Sequence, residues 1–306
     1  MNKAIFLAGL ILAATGLVSP AIALLGGLIY GMTLPHPFAA ESRDVTKFLL
    51  QGSVVALGFG MNLHEVLRAG RSGFVYTAVS ITVALFLGLG IGYLIRVSKT
   101  PSFLISAGTA ICGGSAIAAV GPISGASEEE MAVSLGAVFI LNSIALFVFP
   151  PVGFALHMSQ SQFGLWSALA IHDTSSVVGA TAKYGPIALA VGTTIKLARA
   201  LWIVPLSVGT AVVLKSKARI QWPWFILFFC QAALLNTLLP QFGAAFGALS
   251  HMGKLGLTVT LFLIGASLNR ETLAKVGVRP LLQGLTLWII VGTGTLALIL
   301  FDRIHV

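Results

Sequence analysis

Apolar runs of about 15 to 25 residues follow one another along this 306-residue chain, each close to the roughly 20 residues that take a helix across about 30 Å of hydrocarbon. That pattern leaves little room for anything but a polytopic helical membrane protein. Composition agrees, since 57% of the residues are hydrophobic and only 9% are charged, a balance that no soluble domain carries. The runs fall near residues 3–18, 20–34, 46–61, 74–95, 102–121, 131–157, 163–182, 186–214, 222–239, 253–268 and 281–301. Breaker or polar clusters separate them, such as Pro35-His36-Pro37, Ser98-Lys99-Thr100-Pro101 and Lys215-Ser216-Lys217-Ala218-Arg219. The longest polar connections are only about ten residues, so a single all-α transmembrane domain of about 10–11 helices is expected, without a separate soluble part.

The formal charge of +9 is not a nucleic-acid footprint, because Lys and Arg are scattered over span ends. With eleven crossings, Lys3, Arg43, Arg96, Lys99, Lys215, Lys217, Arg219, Arg270, Lys275 and Arg279 fall on one side, against Arg68, Arg71, Lys183 and Arg303 on the other. The richer side is the cytoplasmic one, which places the N-terminus inside. Lys3, the apolar run to Val18 and Ala21-Ile22-Ala23 imitate a secretory signal with its cleavage site. A second apolar run, Ala21 to Leu34, follows at once, so a retained first anchor is expected. Cys112 and Cys230 lie inside apolar runs and make neither a disulfide framework nor a cysteine zinc site, and no metal or cofactor is expected.

Within Pro186 to Pro205, a stretch with no acidic residue, stand Lys196 and Arg199. Cations near a bilayer midplane cost several kcal/mol unless paired or hydrated, which makes them a functional hypothesis by default. Spaced i and i+3, they share one helix face.

Two segments read as broken membrane helices. In Ala110-Ile111-Cys112-Gly113-Gly114-Ser115 the Gly pair interrupts a helix, and in Ala170-Ile171-His172-Asp173-Thr174-Ser175-Ser176 the Asp, Thr and Ser are residues that start one. Unwound backbone at membrane depth needs protein or a wet cavity around it. Half-helix N-termini there offer free N–H groups and about half a positive charge, a seat for an anion. Cys112, Gly113, Gly114, Ser115, His172, Asp173, Thr174, Ser175, Ser176, Lys196 and Arg199 are thus candidate substrate ligands, and Asp173 and Asn142 candidates for the coupling ion. Should Asp173 face Lys196 or Arg199, charge pairing would let all three survive in low dielectric. Glu128-Glu129-Glu130 reads as a solvated helix start.

An internal repeat is also visible. Leu57-Gly58-Phe59-Gly60-Met61-Asn62 aligns with Ile264-Gly265-Ala266-Ser267-Leu268-Asn269, and the same offset pairs Lys47 with Lys254 and Gly70 with Gly277. Seven passages between equivalents would make the copies inverted, an arrangement common in secondary transporters.

The run Gly108 to Ala119, the run Ala170 to Val178 and Lys196-Leu197-Ala198-Arg199 with Leu201-Trp202 and Pro205 resemble the bacterial YeiH-type family, whose members are described as sulfate exporters of the inner membrane. The resemblance spans nearly the whole chain. It implies a multi-pass inner-membrane transporter, related in fold to bile-acid symporters and sodium/proton antiporters, with core and scaffold helices and a homodimeric assembly. No G-x-x-x-x-G-K-[ST] loop is present, so transport would be driven by a proton or sodium gradient. The function expected is secondary active transport of a small anion, such as sulfate, a sulfonate or an organic acid. A passive anion channel is the alternative. An intramembrane enzyme built on His172, Asp173 and Ser175 is a further one, although neighbours in sequence form such a constellation only if the backbone folds sharply.

Overall fold

In a computed structural model, described over residues 2–216, 223–268, 270, 276–301 and 303–304, and by backbone alone at 39–41, 43, 65, 68–75 and 128, helices follow one another without a strand among the described residues. They are α1 (Asn2–Ala14), α2 (Pro20–Thr33), α3 (Ala39–Gly58), α4 (Leu63–Ile95), α5 (Lys99–Ala110), α6 (Gly114–Ile123) and α7 (Glu128–Ala155). Then come α8 (Gln160–Ala170), α9 (Thr174–Tyr184), α10 (Pro186–Ala200), α11 (Ile203–Leu214), α12 (Trp224–Leu238), a 3-10 turn at Pro240–Phe242, α13 (Gly243–Ser267) and α14 (Val278–Leu300). Five stretches are long and apolar enough to cross a membrane: Tyr76–Ile95, Glu129–Ala155, Pro186–Leu214, Pro240–Ser267 and Val278–Leu300. The chain is an all-α polytopic membrane protein.

The helices form two compact units, Met1–Leu67 with Pro223–Glu271, and Arg68–Trp222 with Thr272–Val306. In the first, α13 packs on α2 and α3 through glycines. Gly27 lies directly against the Phe262 carbonyl, a Cβ at Gly31 would stand 2.7 Å from the Ala266 carbonyl oxygen, and one at Gly253 would stand 2.7 Å from that of Ser53. Lipid supplies no hydrophobic drive between helices, so such backbone approach, which maximises dispersion contacts, is what holds them. Phe6, Tyr30 and Phe262 fill the space beside this crossing, with Phe6 5.4 Å from the Tyr30 ring.

In the second unit α14 is tied inward by two buried polar side chains. Gln283 Nε2 donates to the Gly88 carbonyl at 2.9 Å and the Ser102 carbonyl at 3.1 Å, joining α4, α5 and α14. Trp166 Nε1 donates to the Gly292 carbonyl at 2.9 Å, joining α8 to α14. Ser127 and Glu130 close a reciprocal capping box at the start of α7, so the acidic run does begin a helix.

Three sequence readings change or fall outside view. The run 186–214 is not one helix but α10 and α11, bent at Leu201-Trp202. Pro205 brings no N–H to the Leu201 carbonyl, which accepts from Val204 N at 3.1 Å instead. Several helices begin well before their apolar runs, α4 at Leu63 and α13 at Gly243, because hydropathy marks the greasy length of a helix and not its polar ends. Lys217, Arg219, Asn269 and Lys275, and the side chains of Arg43, Arg68 and Arg71, lie outside the described residues.

Candidate functional site

Each half of the two interrupted helices is only 10 to 12 residues long and rises about 15–18 Å, half a bilayer. Both pairs therefore break near the middle of their own length. The first breaks at Ile111-Cys112-Gly113, where Gly113 takes φ 60° and ψ −123°, a conformation closed to residues with a side chain. The second breaks at Ile171-His172-Asp173, where Ile171 and Asp173 are extended. The breaks abut: a Cβ at Gly113 would stand 3.4 Å from both Cα and Cβ of Asp173.

A helix ends with four carbonyls that find no partner within it, and at α5 all four can be followed. Ile111 N donates to Ala107 O and Gly113 N to Gly108 O, at 3.0 and 2.7 Å. Arg199 takes the other two, Nε to Ala110 O at 2.6 Å and Nη2 to Thr109 O at 3.4 Å. The same guanidinium reaches α8 through Nη1 to Leu169 O at 2.9 Å. Lys196 Nζ serves the same end, donating to Ile171 O at 2.6 Å and Ala168 O at 3.3 Å. Both cations are fully buried. Hydrogen bonds to a charged group are worth about 1.5–3 kcal/mol each, and each C-terminus adds about half a negative charge. Partners of this kind offset the several kcal/mol that burying each cation costs.

The opposite ends are treated differently. Asp173 caps α9, its Oδ2 accepting from Ser175 N at 3.1 Å, Ser176 N at 3.4 Å and the Ser175 hydroxyl. Asn142 of α7 supports this break from behind, its Oδ1 accepting from the backbone N–H of His172 at 3.1 Å and of Asp173 at 3.2 Å. At α6 no oxygen caps. Ile117 N returns to Gly113 O at 3.2 Å, and the amides of Gly114 and Ser115 find no acceptor among the described residues. Ser115 is exposed, while Cys112 and Gly113 beside it are buried.

The structure thus gathers Asn142, Cys112, Gly113, His172, Asp173, Ser175, Ser176, Lys196 and Arg199 at one crossing. A Cβ at Gly114 would stand 3.0 Å from the Phe139 ring, Thr174 is buried in the first turn of α9, and Ser115 is exposed. Charge pairing of Asp173 with Lys196 or Arg199 is not how these groups are accommodated. Among the described residues no ion pair joins them, and the cations hold carbonyls instead. Among the described residues the His172 ring nitrogens bond neither Ser175 nor any other group, and Asn142 Nδ2 is likewise buried without a partner. Thr109 Oγ1 and Thr193 Oγ1 are further buried hydroxyls, without partners among the described residues, that sequence reading did not single out. A Thr in a helix normally bonds back to the preceding turn, so nothing in the sequence marks these two. The carbonyls of Thr109, Ala110, Ala168, Leu169 and Ile171 have no sequence signature at all, since every residue carries one.

No solved structure matches this chain. Curated relatives span nearly its whole length. A UPF0324 membrane protein of Porphyromonas gingivalis is 53% identical over 94% of this chain and 88% of its own. One of Bacteroides thetaiotaomicron is 51% identical over 93% and 87%. One of Geobacter sulfurreducens is 46% identical over 97% and 96%. Residues 3–284 match the family described as conserved hypothetical protein 698. The chain belongs to that family of multi-pass membrane proteins.

Proposed function

We propose that this protein is a gradient-driven carrier of a small anion across the bacterial inner membrane, with its site where the two interrupted helices meet. One observation carries the reading. Of the four half-helix ends at the crossing, three are closed by charged side chains of the chain itself, and the α6 N-terminus is left with two free amides beside the exposed Ser115. Free amides and a positive helix end are what an anion binds. Asn142 Nδ2 adds a donor without a partner among the described residues. Lys196 and Arg199 act from behind, cancelling the two negative helix ends that would otherwise repel the cargo. The resemblance to YeiH-type proteins supports an oxyanion such as sulfate or a sulfonate, coupled to protons or sodium through Asp173 and Asn142.

Purified protein in proteoliposomes should show saturable sulfate exchange, accelerated by unlabelled sulfate on the opposite side. Flux that rises linearly with concentration would mark a pore. Absence of exchange for sulfate, sulfonates and small carboxylates alike would remove the carrier reading.

A further inference from the structure

The charges at the crossing fix how many negative charges it can hold. The half-charges of the two C-termini, α5 and α8, and of the two N-termini, α6 and α9, cancel. What remains is Lys196 and Arg199, each counted as a cation because its donors all lie on helix-end carbonyls, against the Asp173 carboxylate. With Asp173 ionised, the site holds one surplus positive charge and is neutralised by a monoanion. With Asp173 protonated it holds two, and is neutralised by a dianion. In low dielectric an uncompensated unit charge is strongly disfavoured, which ties the state of Asp173 to the charge of the occupant.

We infer, resting on the carrier reading above, that Asp173 sets the proton stoichiometry of the cargo: a dianion enters with one proton on Asp173, and a monoanion of the same shape enters with none. The geometry places Asp173 to do this. Its backbone backs directly onto Gly113 at the α6 N-terminus. Its Oδ2 is committed to α9, while Oδ1 accepts no hydrogen bond among the described residues. Beside it, the Asn142 amide is anchored by its oxygen to the Asp173 N–H, which fixes the unpartnered, buried Nδ2 at this same break. The other ionisable groups beside it are its neighbour His172, Cys112 from the first break and Lys196 from α10, with Arg199 one turn further along α10 beside His172. α7 contributes Asn142 and Val138 there, and α9 contributes Ser175 and Ser176. No other ionisable side chain of this unit is buried among the described residues.

The linkage has a definite sign. Dianion affinity is complete while Asp173 is protonated, and falls about tenfold per pH unit once it ionises. Sulfate and methanesulfonate are the probes, alike in shape, differing by one charge, and neither titrating between about pH 5 and pH 8. Thermal-shift titrations at fixed ionic strength should give a sulfate affinity that weakens with rising pH and a methanesulfonate affinity that stays level. Asp173→Asn, which keeps a capping oxygen for α9, should bind sulfate with no pH dependence. Calorimetry of the unmodified protein in buffers of different ionisation enthalpy provides the same test without a variant: about one proton taken up per sulfate and none per methanesulfonate. Equal pH dependence for the two anions, or a sulfate dependence that survives in Asp173→Asn, overturns the inference and leaves the carrier reading standing. If neither anion protects the protein at any pH, the oxyanion site itself falls, and the inference with it.

Discussion

Arg199 is the residue on which the crossing turns, because a single planar fork reaches the C-terminal carbonyls of two different helices. Lysine offers a point charge and cannot span both ends. Replacing Arg199 with Met keeps most of the volume and leaves Ala110 O and Leu169 O bare, at about 1–3 kcal/mol for each buried acceptor. The variant should unfold at a clearly lower temperature in detergent, by about 3 kcal/mol, with Arg199→Lys in between. A Met variant as stable as the parent would show that water serves those carbonyls equally well. The sequence flagged Lys196 and Arg199 through cost alone, since cations do not survive in lipid without partners. It left the partner open. The carboxylate of Asp173 was the obvious counter-charge on paper, yet helix ends carry charge that no letter records.

At the scale of elements, the two breaks were legible because Gly-Gly and His-Asp-Thr-Ser are poor helix interiors and good helix starts. The bend between α10 and α11 was not read, although Pro205 announces it, because hydropathy runs unbroken through the bend. Glycine spacing in α2 was equally silent. Gly27 and Gly31 lie one helical turn apart, and only the packed structure shows α13 backbone filling both positions. A bulky side chain at Gly27 meets the Phe262 carbonyl, which belongs to helix backbone and cannot swing away. Gly27→Leu should lose about 2–3 kcal/mol by overpacking, read as a lowered unfolding temperature. Gly26, with open space around it, should tolerate the same change, and equal loss at both sites would mean that lipid-facing bulk and not the α2–α13 contact is responsible.

For the molecule as a whole, the distribution of Lys and Arg predicts orientation. In a protein whose native Cys112 and Cys230 have been replaced, a cysteine at Ser216 should react with thiol reagents from the cytoplasmic side and one at Lys183 from the opposite side. Labelling of both from the same side would mean that one of the intervening segments does not cross. The material class, the run of helices and the position of both breaks follow from the sequence by itself, because hydrocarbon imposes one rule on every peptide group within it and breaker residues violate that rule visibly. Only tertiary structure decided that the two breaks touch, that Arg199 closes two helices at once and that the α6 N-terminus is left open. Those outcomes depend on where backbone carbonyls and amides from distant helices meet, and backbone groups are the same at every residue.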